Sequence, residues 1–180
     1  MHEDIKNILI NEEQIKKRVQ ELGEQLSKEY EGKKVIMICL LKGAAYFACD
    51  LSRAMTIPVR IEFMVASSYG DSTTTSGSVA VRLDVKDDIA GLHVLLVDDI
   101  IDTGLTFARV KNLLQTKNPA SIKTVAMCDK EERRMNGMEA DYVGFTIPDE
   151  FVVGYGLDYA GDYRNLPYIG VLKPSVYART

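Results

Sequence analysis

Residues 94–106 read V-L-L-V-D-D-I-I-D-T-G-L-T, which gathers three carboxylates, two hydroxyls and a glycine within a few positions. Carboxylates this close repel one another and resist burial, so a fold that keeps Asp98, Asp99 and Asp102 must give them protons, cations or hydroxyl donors as partners. Thr103 and Thr106 supply hydroxyls, and Gly104 permits close backbone approach. A helix that begins just beyond them aims unpaired N–H groups at whatever binds there, which suits a phosphate. Acceptors for hydroxyls beside donors for a phosphate match a ligand carrying both, and a ribose 5-phosphate is the simplest such ligand. The chain has no G-x-x-x-x-G-K-[ST] loop and no G-x-G-x-x-G fingerprint, which weighs against nucleotide hydrolysis and hydride transfer.

Such a turn needs a rigid support. Asn11 and Gln14 form a capping-box pattern, and Ile15, Val19, Leu22 and Leu26 follow at helical spacing, so a first helix should run to about residue 31. Val35 to Leu41 is an unbroken apolar run, read as a strand buried on both faces, with a helix from about Ala44 to Met55 after it. Residues 59–66 and 79–83 alternate like strands with one wet face, and they flank a Gly/Ser/Thr-rich connection long enough to serve as a lid. His93 to Val97 is the strand that delivers the acids, and the helix after the turn, to about Thr116, should turn Phe107, Val110, Leu113 and Leu114 inward. Strands are also expected at 122–128, 142–146, 151–153 and 168–172. Strands alternating with helices predict an α/β fold, a mainly parallel central sheet flanked by helices, with ligands at the carboxyl ends of its strands.

The whole chain sets bounds on function. Its 180 residues fit a single domain spanning 1–180. No apolar run reaches the ~18 residues of a membrane span, and the acidic start resembles no secretion signal, so a cytoplasmic protein without a membrane partner is expected. A net charge of -4 offers no footprint for duplex nucleic acid. Cys39, Cys49 and Cys128 lack C-x-x-C spacing and lie beside apolar residues, so buried, reduced thiols are expected.

The stretch from Val94 to Thr106 resembles the phosphoribosyl-diphosphate motif of the type I phosphoribosyltransferases. The likeness extends to the hypoxanthine-guanine phosphoribosyltransferases through Leu41-Lys42-Gly43, Ser68-Tyr69, Lys130 and F-V-V-G-Y-G-L-D-Y with Arg164 behind it. It covers nearly the whole chain. The resemblance implies the type I fold, with a small hood subdomain made by the C-terminal tail and part of the N-terminus, and a lid over about 68–78. It also implies Mg²⁺ as cofactor, phosphoribosyl diphosphate and a 6-oxopurine as substrates, and a homodimer or homotetramer.

Residue by residue, the resemblance implies that Asp98 and Asp99 hold the ribose hydroxyls while Asp102, Thr103, Gly104, Leu105 and Thr106 receive the 5'-phosphate. Asp102 would also exchange a proton with purine N7. Leu41, Lys42 and Gly43 would form the pyrophosphate loop, with a cis Leu-Lys bond, and Arg164 would clamp the pyrophosphate. Ser68 and Tyr69 would cover the reacting centre. Phe151 would stack on the purine, Val152 would offer main-chain groups to its edge, and Lys130 would donate to its 6-oxygen. Asp158, at the purine side, would hold Mg²⁺ with Asp98 and Asp99. The rival from another class is a regulator that senses phosphoribosyl diphosphate and binds RNA, as pyrimidine-operon attenuation proteins do; the acidic pI of about 5.3, the lid and the aromatic tail count against it. A receiver built on Asp98-Asp99 fits poorly, because receivers carry the phospho-acceptor on a different strand.

Overall fold

The computed structural model describes residues 1–68 and 79–178. In chain order the elements are β1 (Ile5–Ile10), α1 (Glu12–Glu29), β2 (Val35–Leu40), α2 (Ala45–Ala54), β3 (Val59–Ser68), β4 (Val79–Leu83), β5 (His93–Ile101), α3 (Leu105–Gln115), β6 (Ser121–Asp129), β7 (Tyr142–Thr146), β8 (Val152–Val153), β9 (Ile169–Leu172) and α4 (Pro174–Tyr177). A single 3-10 turn at Glu131–Arg133 follows β6.

The larger sheet has the order β4-β3-β2-β5-β6-β7 and is parallel except where β4 pairs antiparallel with β3. β2 is buried at every residue, as its unbroken apolar run requires, and its side chains alternate between two cores. Met37 and Cys39 face Ile15, Leu22 and Leu26 of α1 and Phe47 and Leu51 of α2. Ile36 and Ile38 face the core that holds Phe107, Val110 and Leu114 of α3. The capping box opens α1 as its sequence predicts, with Asn11 Oδ1 accepting from the Gln14 N–H at 2.9 Å and Gln14 Oε1 accepting from the Asn11 N–H at 2.9 Å.

The strand order has a functional consequence. From β2 the chain steps through α2 outward to β3, whereas from β5 it steps through α3 the opposite way to β6. β2 and β5 are neighbours, so their carboxyl ends flank the point where the winding reverses, and a crevice opens there. Leu41-Lys42-Gly43 and the three aspartates stand at that crevice.

A second, three-stranded sheet, β1-β9-β8, forms the hood. β1 escapes a periodicity reading because only its end residues, Ile5 and Ile10, are buried. Tyr163 Oη donates to Asp4 Oδ2 at 2.8 Å, and the Lys173 N–H donates to the Asp4 carbonyl at 2.9 Å, so the two ends of the chain are tied together.

Two expectations need correction. β5 does not end at Val97: it continues through Asp98, Asp99 and Ile100 to Ile101, because β6 keeps pairing with it as far as Ile101 opposite Asp129. Cys49 is exposed, since α2 buries Phe47, Ala48 and Leu51 and turns Cys49 away from that stripe. Cys39 and Cys128 are buried, and burial pushes the Cys39 thiol up to about 12.

Candidate active site

At the end of β5 the carboxylates divide into a pair and a single group. Asp98 Oδ1 accepts from the Asp99 N–H at 2.9 Å, which sets the two carboxyl groups side by side. Enclosure raises the Asp98 carboxyl well above the usual range, and the neighbouring Asp99 charge raises it further. Burial also raises Asp99, opposed by its bond to Asp98 and by the positive charge of Arg164. The crowded pair therefore holds on to a proton more firmly than free carboxyls do.

Asp99 is fixed against the end of β2. A Cβ built on Gly43 would stand 1.5 Å from Asp99 Oδ2, so only a glycine lets that carboxylate occupy its place. The Gly43 carbonyl in turn meets the tail, where a Cβ on Gly156 would lie 1.9 Å from it. Gly156, at φ +101°, is held by Arg164, whose Nη1 donates to the Gly156 carbonyl at 2.5 Å while the Gly156 N–H donates to the Arg164 carbonyl at 3.0 Å. Arg164 Nη2 also meets Asp158 Oδ1 at 2.6 Å, and Asp158 Oδ2 accepts from the Gly161 N–H at 2.7 Å. Three distant segments thus converge on one glycine. The Leu41-Lys42 peptide bond is cis, and Lys42 is exposed.

Beyond the acids, Gly104 takes a left-handed conformation at φ +78° and caps α3. The Thr103 hydroxyl accepts weakly from the Leu105 N–H at 3.4 Å, and the first helical bond runs from the Ala108 N–H to the Gly104 carbonyl at 3.1 Å. The N–H groups of the first turn therefore have no intrahelical acceptor, the arrangement an anion needs. A wall backs this turn: a Cβ on Gly104 would meet Asn136 Oδ1 at 2.5 Å and Arg134 Cδ at 2.9 Å, and the Met135 N–H donates to the Thr103 carbonyl at 3.1 Å. Arg134 braces the wall from beneath, bonded to Asp129 and to the Met138 carbonyl.

Asp102 is separate from the other two acids. Its Oδ1 is buried and receives no hydrogen bond, and Arg133 Nε stands 3.2 Å away as an ionic neighbour. Lys130 is buried at 6% exposure with Nζ 3.6 Å from Asp149 Oδ1. Phe151 is 38% exposed and stacks on Tyr177 with centroids 4.9 Å apart. The Phe151 carbonyl accepts from the Leu172 N–H at 2.8 Å, so the alternation of an antiparallel pair turns the main-chain groups of Val152 away from β9.

Asp98, Asp99, Gly43 and Arg164 come together, as do Asp102 and Lys130 through Arg133 and Asp149. Asp158 stands with Arg164, and among the described residues no group of three or more His, Cys, Asp or Glu side chains is placed to hold a metal. Ser68 ends β3, and Tyr69 with the rest of the expected lid to residue 78 lies outside the described residues. Sequence reasoning missed Gly156, Arg133, Arg134 and Asp149. The G-Y-G spacing after Val153 carried a signal for Gly156, whereas the two arginines were hidden in the D-K-E-E-R-R charge run.

Comparisons with known proteins agree with this geometry. A phosphoribosyl transferase domain model matches residues 5–160. The chain is 48% identical to the hypoxanthine-guanine phosphoribosyltransferase of Bacillus subtilis, with 98% of both chains covered. A crystal structure of a hypoxanthine phosphoribosyltransferase from Staphylococcus aureus superposes with a TM-score of 0.94 at 46% identity, covering 98% of this chain and 96% of that one. The bifunctional TilS/HprT protein of Listeria innocua is 45% identical over 178 residues, and there the chain spans 28% of the relative's length. No helix among the described residues is long and apolar enough to cross a membrane. With its reversed winding at β2 and β5, its glycine-opened helix start after the aspartates and these matches, the chain belongs to the phosphoribosyltransferase family, among the hypoxanthine-guanine phosphoribosyltransferases.

Proposed function

We propose that this protein joins hypoxanthine or guanine to 5-phospho-α-D-ribose 1-diphosphate, giving IMP or GMP and pyrophosphate, a purine salvage reaction. The observation that supports this reading is the meeting at one crevice of a glycine-opened helix start suited to a phosphate, a glycine loop wedged against Asp99, and a buried lysine linked to Asp102 through Asp149 and Arg133.

The 5'-phosphate sits on the N–H groups and hydroxyls of Thr103 to Thr106, which fixes the ribose so that its C1' faces the base. Asp98 and Asp99 accept from the 2'- and 3'-hydroxyls, which supply donors to carboxyls that burial leaves short of them. Leu41 to Gly43 and Arg164 receive the diphosphate. A hard cation that keeps several waters binds mainly through substrate phosphates, so Mg²⁺ would rest chiefly on the diphosphate, with Asp98, Asp99 and Asp158 offering separate oxygens to it or its waters rather than one preformed cluster. When bound, Mg²⁺ neutralises charge on the departing diphosphate.

At the other side, Lys130 donates to the 6-oxygen of the purine while Phe151 stacks on its ring and Val152 offers main-chain groups to its edge. Asp102 takes the N7 proton as N9 bonds to C1' and the C1'–oxygen bond to pyrophosphate breaks. Ser68 and Tyr69 would exclude water while the ribose carries positive charge. The family and the acidic surface support a cytoplasmic enzyme of one domain that acts as a homodimer or homotetramer on small molecules rather than nucleic acid.

The test is product formation from phosphoribosyl diphosphate and Mg²⁺ with hypoxanthine, guanine, xanthine and adenine. Turnover of hypoxanthine or guanine with adenine inert is the expected result. No turnover with any base would overturn the enzyme, and preference for adenine would overturn the role of Lys130.

A further inference from the structure

Arg133 has no part in the chemistry above, yet its guanidinium lies against the group that carries the proton. Arg133 Nε is 3.2 Å from Asp102 Oδ1, and no hydrogen bond of good geometry reaches that buried oxygen. The arginine therefore offsets the carboxylate's charge without satisfying its lone pairs. The same guanidinium has a second acid within reach, since Arg133 Nη1 is 3.9 Å from Asp149 Oδ1, and that oxygen also lies 3.6 Å from Lys130 Nζ. Asp102, Arg133, Asp149 and Lys130 thus form a chain of alternating charge across the region assigned to the base. Arg133 sits in the same short turn as Arg134 but does the opposite job: Arg134 is tucked under the loop, whereas Arg133 is half exposed and has room to move.

Resting on the transferase reading, we propose that Arg133 is a positioning residue that stands in for the purine at Asp102. In the free protein it lies against the carboxylate and holds it aimed at the base site. An arriving purine donates its N7–H to the unsatisfied Oδ1 and displaces the guanidinium toward Asp149. That move shifts Asp149 from Lys130 to Arg133 and leaves the lysine ammonium for the 6-oxygen. Base binding is then an exchange of ion pairs, and the strength of the resting contact sets how readily a purine enters.

The experiment compares steady-state kinetics with hypoxanthine at saturating phosphoribosyl diphosphate for the full chain and for Arg133→Ala, Arg133→Lys, Asp149→Asn and the Arg133→Ala/Asp149→Asn pair. Removing the stand-in should lower KM for hypoxanthine by roughly two- to fivefold, the scale of a part-exposed ion pair, with a smaller change in kcat. Arg133→Lys should return KM toward the original value. Asp149→Asn, which removes the alternative seat, should raise KM, and much less so when Arg133 is already alanine. A KM that is unchanged or raised in Arg133→Ala overturns the proposal, as does an Asp149→Asn effect that is the same with and without Arg133. Failure of the unmodified protein to turn over would end the transferase reading itself, so the two failures are distinct.

Discussion

Replacing Gly43 by alanine tests how the site is assembled. The added Cβ would lie 1.5 Å from Asp99 Oδ2, 2.5 Å from Cγ and 3.2 Å from Oδ1, so the nearest oxygen must retreat by about 1.9 Å to regain ordinary contact at 3.4 Å. Asp99 is a short side chain on a strand paired with β6, with little freedom to slide. Overpacking of this kind costs about 1–3 kcal/mol, which for a chain of this size lowers the melting temperature by about 2–12 °C. Binding should suffer more, because a misplacement of about 1 Å at a positioned group can cost about a hundredfold. Thermal melts and calorimetric titration with phosphoribosyl diphosphate and Mg²⁺ read the two effects separately. The clash involves only carboxylate atoms of Asp99, so adding Asp99→Ala should recover most of the lost melting temperature while binding stays weak. Unchanged melting and binding in Gly43→Ala, or a double variant no more stable than the single one, would refute the wedge.

Asp102→Asn keeps the size of the side chain but cannot take a proton, so the single-turnover rate with hypoxanthine should fall by about a hundredfold or more while IMP binding changes little; an unchanged rate sinks the proton role. Lys130→Met should raise KM for hypoxanthine by at least about tenfold through loss of a charged hydrogen bond, and base titration will show whether it does. Asp98→Asn should raise the melting temperature at pH 7.5. The sign follows from the raised carboxyl: the stabilisation it provides is complete below the ordinary carboxyl range and is lost as pH rises through its folded value, so the advantage of Asn grows with pH and vanishes near pH 4. A melting advantage that is constant across that range contradicts the assignment.

The shape of the turn proposed to take the phosphate was legible because it is local: one strand, one glycine and one helix start, contiguous from Val94 to Thr106, dictate it. The parallel sheet was legible for a similar reason, since the apolar run that begins at Val35 forms a strand buried on both faces through Leu40. The extent of β5 was not, because aspartates are poor strand formers, and only the continued pairing with β6 carries Asp98 and Asp99 into the ladder. The base half is assembled across the chain. Nothing near Arg133 in the sequence says that it faces Asp102 while its neighbour Arg134 turns beneath the loop. Gly43 and Gly156 meet across more than a hundred residues, a contact that no periodicity encodes.

The pairing of β1 with β9 bears on how the molecule comes into being. The first strand of this fold must find its ninth, so the hood closes by the longest loop between paired strands among the described residues, and such contacts form late. The larger sheet and the turn from Asp102 to Thr106 can exist before that closure, whereas the strand edge beside Phe151 and Val152 cannot. A chain arrested short of Ile169 would therefore be able to grip a sugar phosphate but not choose a base. Hydrogen exchange should show the same order in reverse, with β1 and β9 opening first and selectivity lost before affinity for the ribose.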